Sequence, residues 1–506
     1  MTDSLEEWRE LDALASDEAR EQAVEKRHAK GFRTARENLA DLVDAGSFLE
    51  YGRAAVAAQR ERRTLDDLRQ STAADGVITG TATINADAFG QEAAAAAVIL
   101  NDYTVLAGTQ GFFHHAKIDR LLNVARERRL PVVMYAEGGG GRPGDVDVKV
   151  VNAGLTVPTF ALWAGLSGTV PRIAVANGYC FAGNAALLGS ADLTIATRRS
   201  WIGMAGPAMI EGGGLGSYRP DEIGPAETLA ANGVVDVLVE DEAEATAIAK
   251  RLLGYLQGRV ETWTAADQAP LRDALPEDRR YSYRVRPILE RLVDEGSFLE
   301  LRRAFGGSLV TGFARIEGRP LGVIANDTRV LGGALSAEAS DKATRFLGLL
   351  DAFGLPLLSL CDTPGFMVGP ASEAQAAARR MGQLFVAGAQ FRNPFVCVFM
   401  RKGYGLGAMA MAGGSLHRPD YTVAWPQGEF GAMGLEGAVR LGFAKELQAA
   451  ESEQARVDLF ERLVREAYER GKASEVAAYL EIDLVIDPAQ TRSTVSAALA
   501  RLRRRN

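Results

Sequence analysis

Histidine is scarce. Four in 506 residues leave little room for an enzyme that moves protons through imidazole. His114 and His115 are neighbours in a helix-like stretch, where adjacent side chains face different sides, so they make a poor metal or relay pair. His28 and His417 stand in polar surroundings, and all four read as surface or structural residues. The three cysteines, Cys180, Cys361 and Cys397, lie in apolar or glycine-rich runs without metal-ligand spacing and read as reduced, buried thiols. No metal is expected, and GRPGDVD (141–147) reads as a solvated loop. The longest apolar run, Ala93–Leu100, is far too short to cross a bilayer. No G-x-S-x-G elbow, H-E-x-x-H pair or phosphate-binding G-x-x-x-x-G-K-[ST] loop occurs. A net charge of −8 and a pI near 5.4 argue against nucleic-acid binding. The acidic opening TDSLEEWRELD lacks a signal peptide's basic region, so a cytoplasmic protein is expected.

What the chain has instead is itself, twice. LVDAGSFLE at 42–50 returns as LVDEGSFLE at 292–300. Asn101-Asp102 and Asn326-Asp327 lie 225 positions apart (326 − 101 = 225), and Leu130-Pro131 with Leu355-Pro356 and Gly178-Tyr179 with Gly403-Tyr404 keep that offset. Two large copies are too few for a solenoid and indicate a duplicated domain. The polar, proline-containing stretch ALPEDRRYSYRVRP (274–287) suggests a boundary that divides the chain into 1–275 and 276–506. Within each copy, short apolar runs alternate with amphipathic segments: VILND, HHAKIDRLLNVARERR and PVVMYAEGGGG in the first, VIAND, SDKATRFLGLLDAFG and PLLSLCDTPGF in the second. That order predicts an α/β fold built on a largely parallel sheet. Propensity alone makes 93–97 helical, but the repeat places it beside RPLGVIAND, which predicts a strand at its end. The terminal RLRRRN reads as a frayed helix end.

Glycine carries the remaining signal. It clusters in EGGGGRPGD (137–145), NGYCFAGNAA (177–186), GPAMIEGGGLG (206–216), CDTPGF (361–366) and RKGYGLGAMAMAGG (401–414). Where a glycine loop ends a strand and opens a helix, its N–H groups point outward and hold negative charge. Close packing of helix on sheet also asks for small residues. Two such loops at equivalent repeat positions, in a chain poor in acid–base groups, favour a pair of oxyanion holes.

These motifs resemble the carboxyltransferase (beta) subunits of biotin-dependent acyl-CoA carboxylases, from about residue 25 to 445. HAKGFRTAREN (28–38) is similar to that family's H-x-R-G-K-x-T-A-R-E-R signature, EGGGGRPGD to its Gly-Gly-Ala-Arg loop, NGYCFAGNA to its Gly-Pro-Cys-Ala-Gly-Gly loop, and RKGYGLGAM to its Arg-Lys-Ala-Tyr-Gly-Gly-Ala loop. VIAND, DTPGF and AWPQGEFGAMGLEGAV look like its second-domain signatures.

The resemblance implies two crotonase/ClpP-like spiral domains, the first taking acyl-CoA and the second biotin. It implies active sites between different subunits of a homo-oligomer, commonly a hexamer, and a role in fatty acid metabolism. The reaction it implies is transfer of a carboxyl group from carboxybiotin to the α-carbon of an acyl-CoA. The biotin anion can itself remove the α-proton, so two oxyanion holes suffice and no side-chain base is required. By position, the first hole falls on Ala182 and Gly183 and the second on Leu406 and Gly407, while the internal offset shifts the second pair to Gly407 and Ala408. Gly139, Gly140, Gly141 and Arg142 become CoA-binding residues. Met409 stands where acyl specificity is governed and propionyl enzymes usually carry Asp. The chain has no A-M-K-M biotinylation sequence, so biotin is expected on a partner carrier, charged by a biotin carboxylase. The rival readings are a subunit of a biotin-dependent decarboxylase or transcarboxylase, a plain crotonase-like hydratase or isomerase, and a degenerate scaffold.

Overall fold

The structure is a computed structural model that describes residues 2–148 and 154–505. The chain forms two compact units, Met1–Gly258 and Arg259–Asn506. Each is built on one sheet. In the first unit β1 (Leu49–Tyr51), β2 (Val77–Thr83), β3 (Ala95–Asn101), β4 (Val132–Tyr135), β5 (Arg172–Ala176), β7 (Leu193–Thr197) and β9 (Val237–Val239) lie side by side in that order. A separate parallel pair, β6 (Tyr179–Phe181) and β8 (Trp201–Gly203), leaves the main sheet after β5. In the second unit β10 (Leu299–Leu301), β11 (Leu309–Ile316), β12 (Arg319–Asn326), β13 (Leu357–Thr363), β14 (Phe395–Tyr404), β15 (Tyr421–Ala424) and β17 (Leu484–Val485) follow the same order. There β16 (Glu429–Gly431) pairs with the end of β14. Both sheets open with antiparallel pairs and continue in parallel. The duplication read from the sequence is therefore a duplication of topology.

The central strands are buried on both faces, as parallel strands under helices must be, and read as unbroken apolar runs such as Val132–Tyr135. The alanine-rich stretch divides as the repeat predicts: helix Ala86–Ala94, then β3 from Ala95. A long helix follows β3 and β12 in turn, Phe112–Arg128 and Ala337–Phe353. From each, a lysine 225 residues from its counterpart points inward. Lys117 Nζ donates to the carbonyls of Ala74 and Val77, and Lys342 Nζ to those of Phe305 and Leu309. The two tryptophans at the centre of the cores are buried with their indole N–H paired, Trp163 to Leu187 O and Trp425 to Thr491 Oγ1.

The structure departs from the sequence reading in three places. The units divide at Gly258, ahead of the 275/276 boundary, because the intervening segment packs on the second unit: Val260 N–H donates to Gly318 O and Leu271 sits in the second core. The GRPGDVD segment is solvated only in part: Gly141 and Pro143 are exposed, but the Arg142 side chain is enclosed in ion pairs with Asp75 (2.5 Å) and Asp145 (2.9 Å). The C-terminal end is pinned rather than frayed, since Arg505 N–H reaches Arg392 O and its guanidinium pairs with Asp420.

Burial pushes the Lys117 ammonium down to about 8 and that of Lys342 to about 7. An unfolded lysine keeps its proton to about pH 10. Between pH 7 and 10 the unfolded chain therefore binds more protons, and stability rises with pH by up to ~1.4 kcal/mol per unit for one site. Urea unfolding at pH 7.5 and 9.0 checks this. Wild-type protein gains stability at the higher pH, and Lys342→Met flattens the rise.

Candidate active site: two glycine turns facing two helix starts

In each unit the strand at the centre of the sheet runs out into a tight turn, and the turn is held by the same two backbone bonds. In the first, Gln110 N–H donates to Gly140 O and Arg142 N–H to Gln110 O. In the second, Leu335 N–H donates to Gly365 O and Met367 N–H to Leu335 O. The offset is again 225. The N–H groups of Gly141 and Phe366 lie between these bonds and take part in neither. Gly139 N–H goes to Ala107 O and Gly140 N–H to Asn184 Oδ1, so these two glycines shape the turn and are not free donors.

Against each turn stands a short helix, Gly183–Gly189 in the first unit and Gly405–Met411 in the second. Their first-turn N–H groups have no intrahelical acceptor, and neither Ala182 nor Tyr404 caps them with a side chain. Turn and helix meet closely. A Cβ on Gly140 would lie 2.6 Å from Ala182 Cβ, and one on Gly407 would lie 2.5 Å from the Gly365 carbonyl carbon. The first contact is with the Ala182 methyl and the second with backbone, and neither leaves room for a side chain.

The structure resolves which residues correspond. Phe181 pairs with Gly203 and Tyr404 with Gly431, and the next residue in each case has positive φ: Ala182 at 52° and Gly405 at 57°. At the helices the offset is thus 223 (405 − 182), two less than at the turns. By that offset Gly183 corresponds to Leu406, although the second helix begins one residue earlier, at Gly405. Ala182 is not an oxyanion donor, because its N–H is bonded to Gly203 O. An alanine held at φ 52°, ψ −118° is strained, and it turns the chain into the helix. Gly407 is the place of closest approach to the Gly365 turn, and Ala408 is buried deeper in the helix. Leu406 is 60 % exposed at the helix start.

Arg142, expected at the CoA, pairs through Nε with Asp145 and through one terminal nitrogen with Asp75. Met409 lines a cleft of about 580 Å³ with Gly405, Ala408, Phe430 and Gly431. Sequence reasoning missed the carboxylates beneath the turns. Glu137 immediately precedes Gly138 and is gripped by Arg27 through both oxygens (2.8 and 2.5 Å). Asp362 stands next to the last residue of β13 and takes bonds from Arg401 Nε (2.9 Å) and the Tyr283 hydroxyl (2.8 Å). Their 225-residue spacing was the available signal. Burial pushes Glu137 up to about 7 against the pull of Arg27, and Asp362 is raised for the same reason.

Among the described residues no group of three or more His, Cys, Asp or Glu side chains could hold a metal, and no helix is long and apolar enough to cross a membrane. The three cysteines are free and buried.

Residues 26–506 match the carboxyl transferase domain. The chain is 34% identical to the methylmalonyl-CoA carboxyltransferase 12S subunit of Propionibacterium freudenreichii subsp. shermanii over 95% of its own length and 90% of that subunit's. It superposes on a transcarboxylase 12S crystal structure with a TM-score of 0.86 at 31% identity, covering 99% of this chain and 94% of that one. It also superposes on a single-chain, multi-domain long-chain acyl-CoA carboxylase with a TM-score of 0.92 at 54% identity. That match covers 98% of this chain, which spans about half the length of the carboxylase (48%). With its duplicated crotonase-like fold and paired glycine turns, the chain belongs to the carboxyl transferase domain family, biotin-dependent carboxyltransferases that act on CoA thioesters.

Proposed function

We propose that this protein transfers a carboxyl group from carboxybiotin to the α-carbon of an acyl-CoA as the carboxyltransferase subunit of an acyl-CoA carboxylase. The observation that carries the reading is the doubled site: two turn-and-helix pairs of backbone donors with the same geometry. Carboxybiotin supplies an activated carboxyl group and leaves as a ureido group bearing negative charge. The acceptor carbon reacts as the enolate of its thioester. Two oxygens therefore gain charge in one reaction, and each needs neutral donors fixed in place.

In this reading the N–H groups of Gly183 and Gly141 hold the thioester oxygen on the first unit. Those of Leu406, Gly407 and Phe366 hold the ureido oxygen on the second, and the α-proton passes to the departing ureido group. Each donor lowers the barrier by roughly 3–4 kcal/mol. Because the donors are backbone groups, alanine or leucine in place of the family's glycine keeps the chemistry. The Gly365 backbone packs directly on Gly407, which holds the second turn against its helix start.

Biotin arrives on a carrier charged by a biotin carboxylase, a reading supported by the relatives named as beta subunits of biotin-dependent carboxylases. A homohexamer is proposed from the hexamer assembly of the transcarboxylase 12S structure, and a cytoplasmic location from the three free, buried cysteines. The apolar Met409 in the second-unit cleft supports acyl groups longer than propionyl, as does the 54% identity to a long-chain acyl-CoA carboxylase.

The direct test is incubation with a carboxybiotin-loaded carrier and a panel of acyl-CoAs, with the substituted malonyl-CoA products read by mass spectrometry. Without the carrier, ATP and bicarbonate yield no product. Gly407→Ala lowers turnover by about 10²-fold because its methyl would press on backbone, whereas Gly183→Ala costs less because it meets the movable ends of Gln110 and Phe160. Met409→Asp shifts kcat/KM away from long acyl chains by about 10-fold or more, because it puts a charged carboxylate in place of an apolar thioether in that cleft. Unchanged ratios across acetyl-, propionyl- and longer acyl-CoAs would make Met409 a packing residue.

A further inference from the structure

His115 is part of a hydrogen-bonded chain that the carboxyl-transfer chemistry above leaves unused. It and Asp119 lie one turn apart on one face of the helix Phe112–Arg128, and Thr159 opens the helix Thr159–Gly165 beside them. The Thr159 hydroxyl donates to Asp119 Oδ1, and His115 Nδ1 lies 2.9 Å from the same hydroxyl oxygen. A hydroxyl has one proton. Since it goes to Asp119, the bond from His115 must be an Nδ1–H donor, which leaves the lone pair on Nε2. Burial, with the Arg142 charge nearby, pushes the imidazole down to about 4, so the ring is neutral. A base that weak is a poor proton acceptor at neutral pH, but it is a fixed hydrogen-bond acceptor.

The chain is not a requirement of the fold. At the corresponding position of the second unit, 225 residues on, stands Ser340, whose hydroxyl bonds back to Ser336 O in its own helix. His115 is also close to the first-unit site. Its ring stands edge-on to Phe160 with centroids 6.0 Å apart, and Phe160 Cζ lies 3.2 Å from where a Cβ on Gly183 would be. One aromatic ring thus separates His115 from the donor on the thioester oxygen. Phe112, Phe113 and Phe160 are partly exposed around it and offer an apolar surface.

We propose that His115 binds acyl-CoA: its Nε2 accepts a hydrogen bond from an amide N–H of the pantetheine arm and so sets the register of the thioester over Gly183. The inference rests on the first unit being the acyl-CoA side. It assigns to Thr159 and Asp119 the role of positioning residues that fix the tautomer.

The test is steady-state kinetics with octanoyl-CoA and carboxybiotin-loaded carrier, alongside calorimetric binding of octanoyl-CoA to the full chain. His115→Phe raises KM and the dissociation constant about three- to tenfold with kcat little changed, the effect of removing one hydrogen bond. His115→Gln, which keeps an acceptor, recovers most of that affinity. In ¹⁵N-histidine-labelled protein the Nε2 resonance of His115 moves on adding octanoyl-CoA, and Thr159→Val disturbs its tautomer before ligand is added. Unchanged KM and binding in His115→Phe overturn the proposal, as does a fall in kcat alone, which would mark an acid–base role. Failure of the carboxyl-transfer reading is separate: wild-type protein would then bind octanoyl-CoA without carboxylating it, and the binding arm would still judge His115.

Discussion

The site depends on a buried ion pair made twice. At the end of each central strand a carboxylate sits out of reach of water, Glu137 in the first unit and Asp362 in the second, each answered by an arginine. The residue that follows is the first of the glycine turn in one case and the threonine that leads into it in the other. A charge buried there without its partner costs about 3–5 kcal/mol, so neither strand end nor turn can drift while the pair is intact. The arginines come from different places. Arg27 belongs to the N-terminal helical lead-in, which ties the family's first signature to the first turn; Arg401 comes from β14, the strand that opens the second helix. Gly178 lies so close to Glu137 that a Cβ there would be 2.0 Å from its carboxylate oxygen. The glycine in NGY thus serves this pair rather than the ligand.

A frame held that firmly makes a site of backbone donors possible. N–H groups carry no proton to lose in the working pH range and need no side chain to be oriented, which suits two oxygens that gain charge in one reaction. In the proposed reading it also accommodates Ala182 and Leu406, because the donors are backbone groups. The side chain at each is incidental to the donor beside it, provided the backbone can take its turn. Ala182 shows the limit of that tolerance, since it adopts a positive φ that its counterpart Gly405 adopts without strain.

The fold was largely legible in the sequence because duplication supplied a second witness for each element. The stretch at 93–97, helical by propensity, resolves as helix then strand once it is set beside RPLGVIAND. What stayed hidden was of two kinds. Register at the site could not be read, because the repeat keeps an offset of 225 through the turns and changes to 223 at the helices, a slip spread over Gly-rich residues that align equally well either way. Burial could not be read either. Arg142 looked like a loop residue facing solvent and proves to be enclosed by Asp75 and Asp145. His115 looked inert because its partners, Asp119 and Thr159, lie on two helices that the sequence does not bring together.

The claim that carboxyl transfer belongs to this chain itself is tested most directly by the reverse half-reaction. Purified protein is given ¹³C-carboxyl-labelled alkylmalonyl-CoA with free biotin as acceptor, without carrier, carboxylase or ATP. The account predicts label in carboxybiotin together with the matching acyl-CoA. Folded protein that binds the thioester yet moves no label to biotin would contradict it.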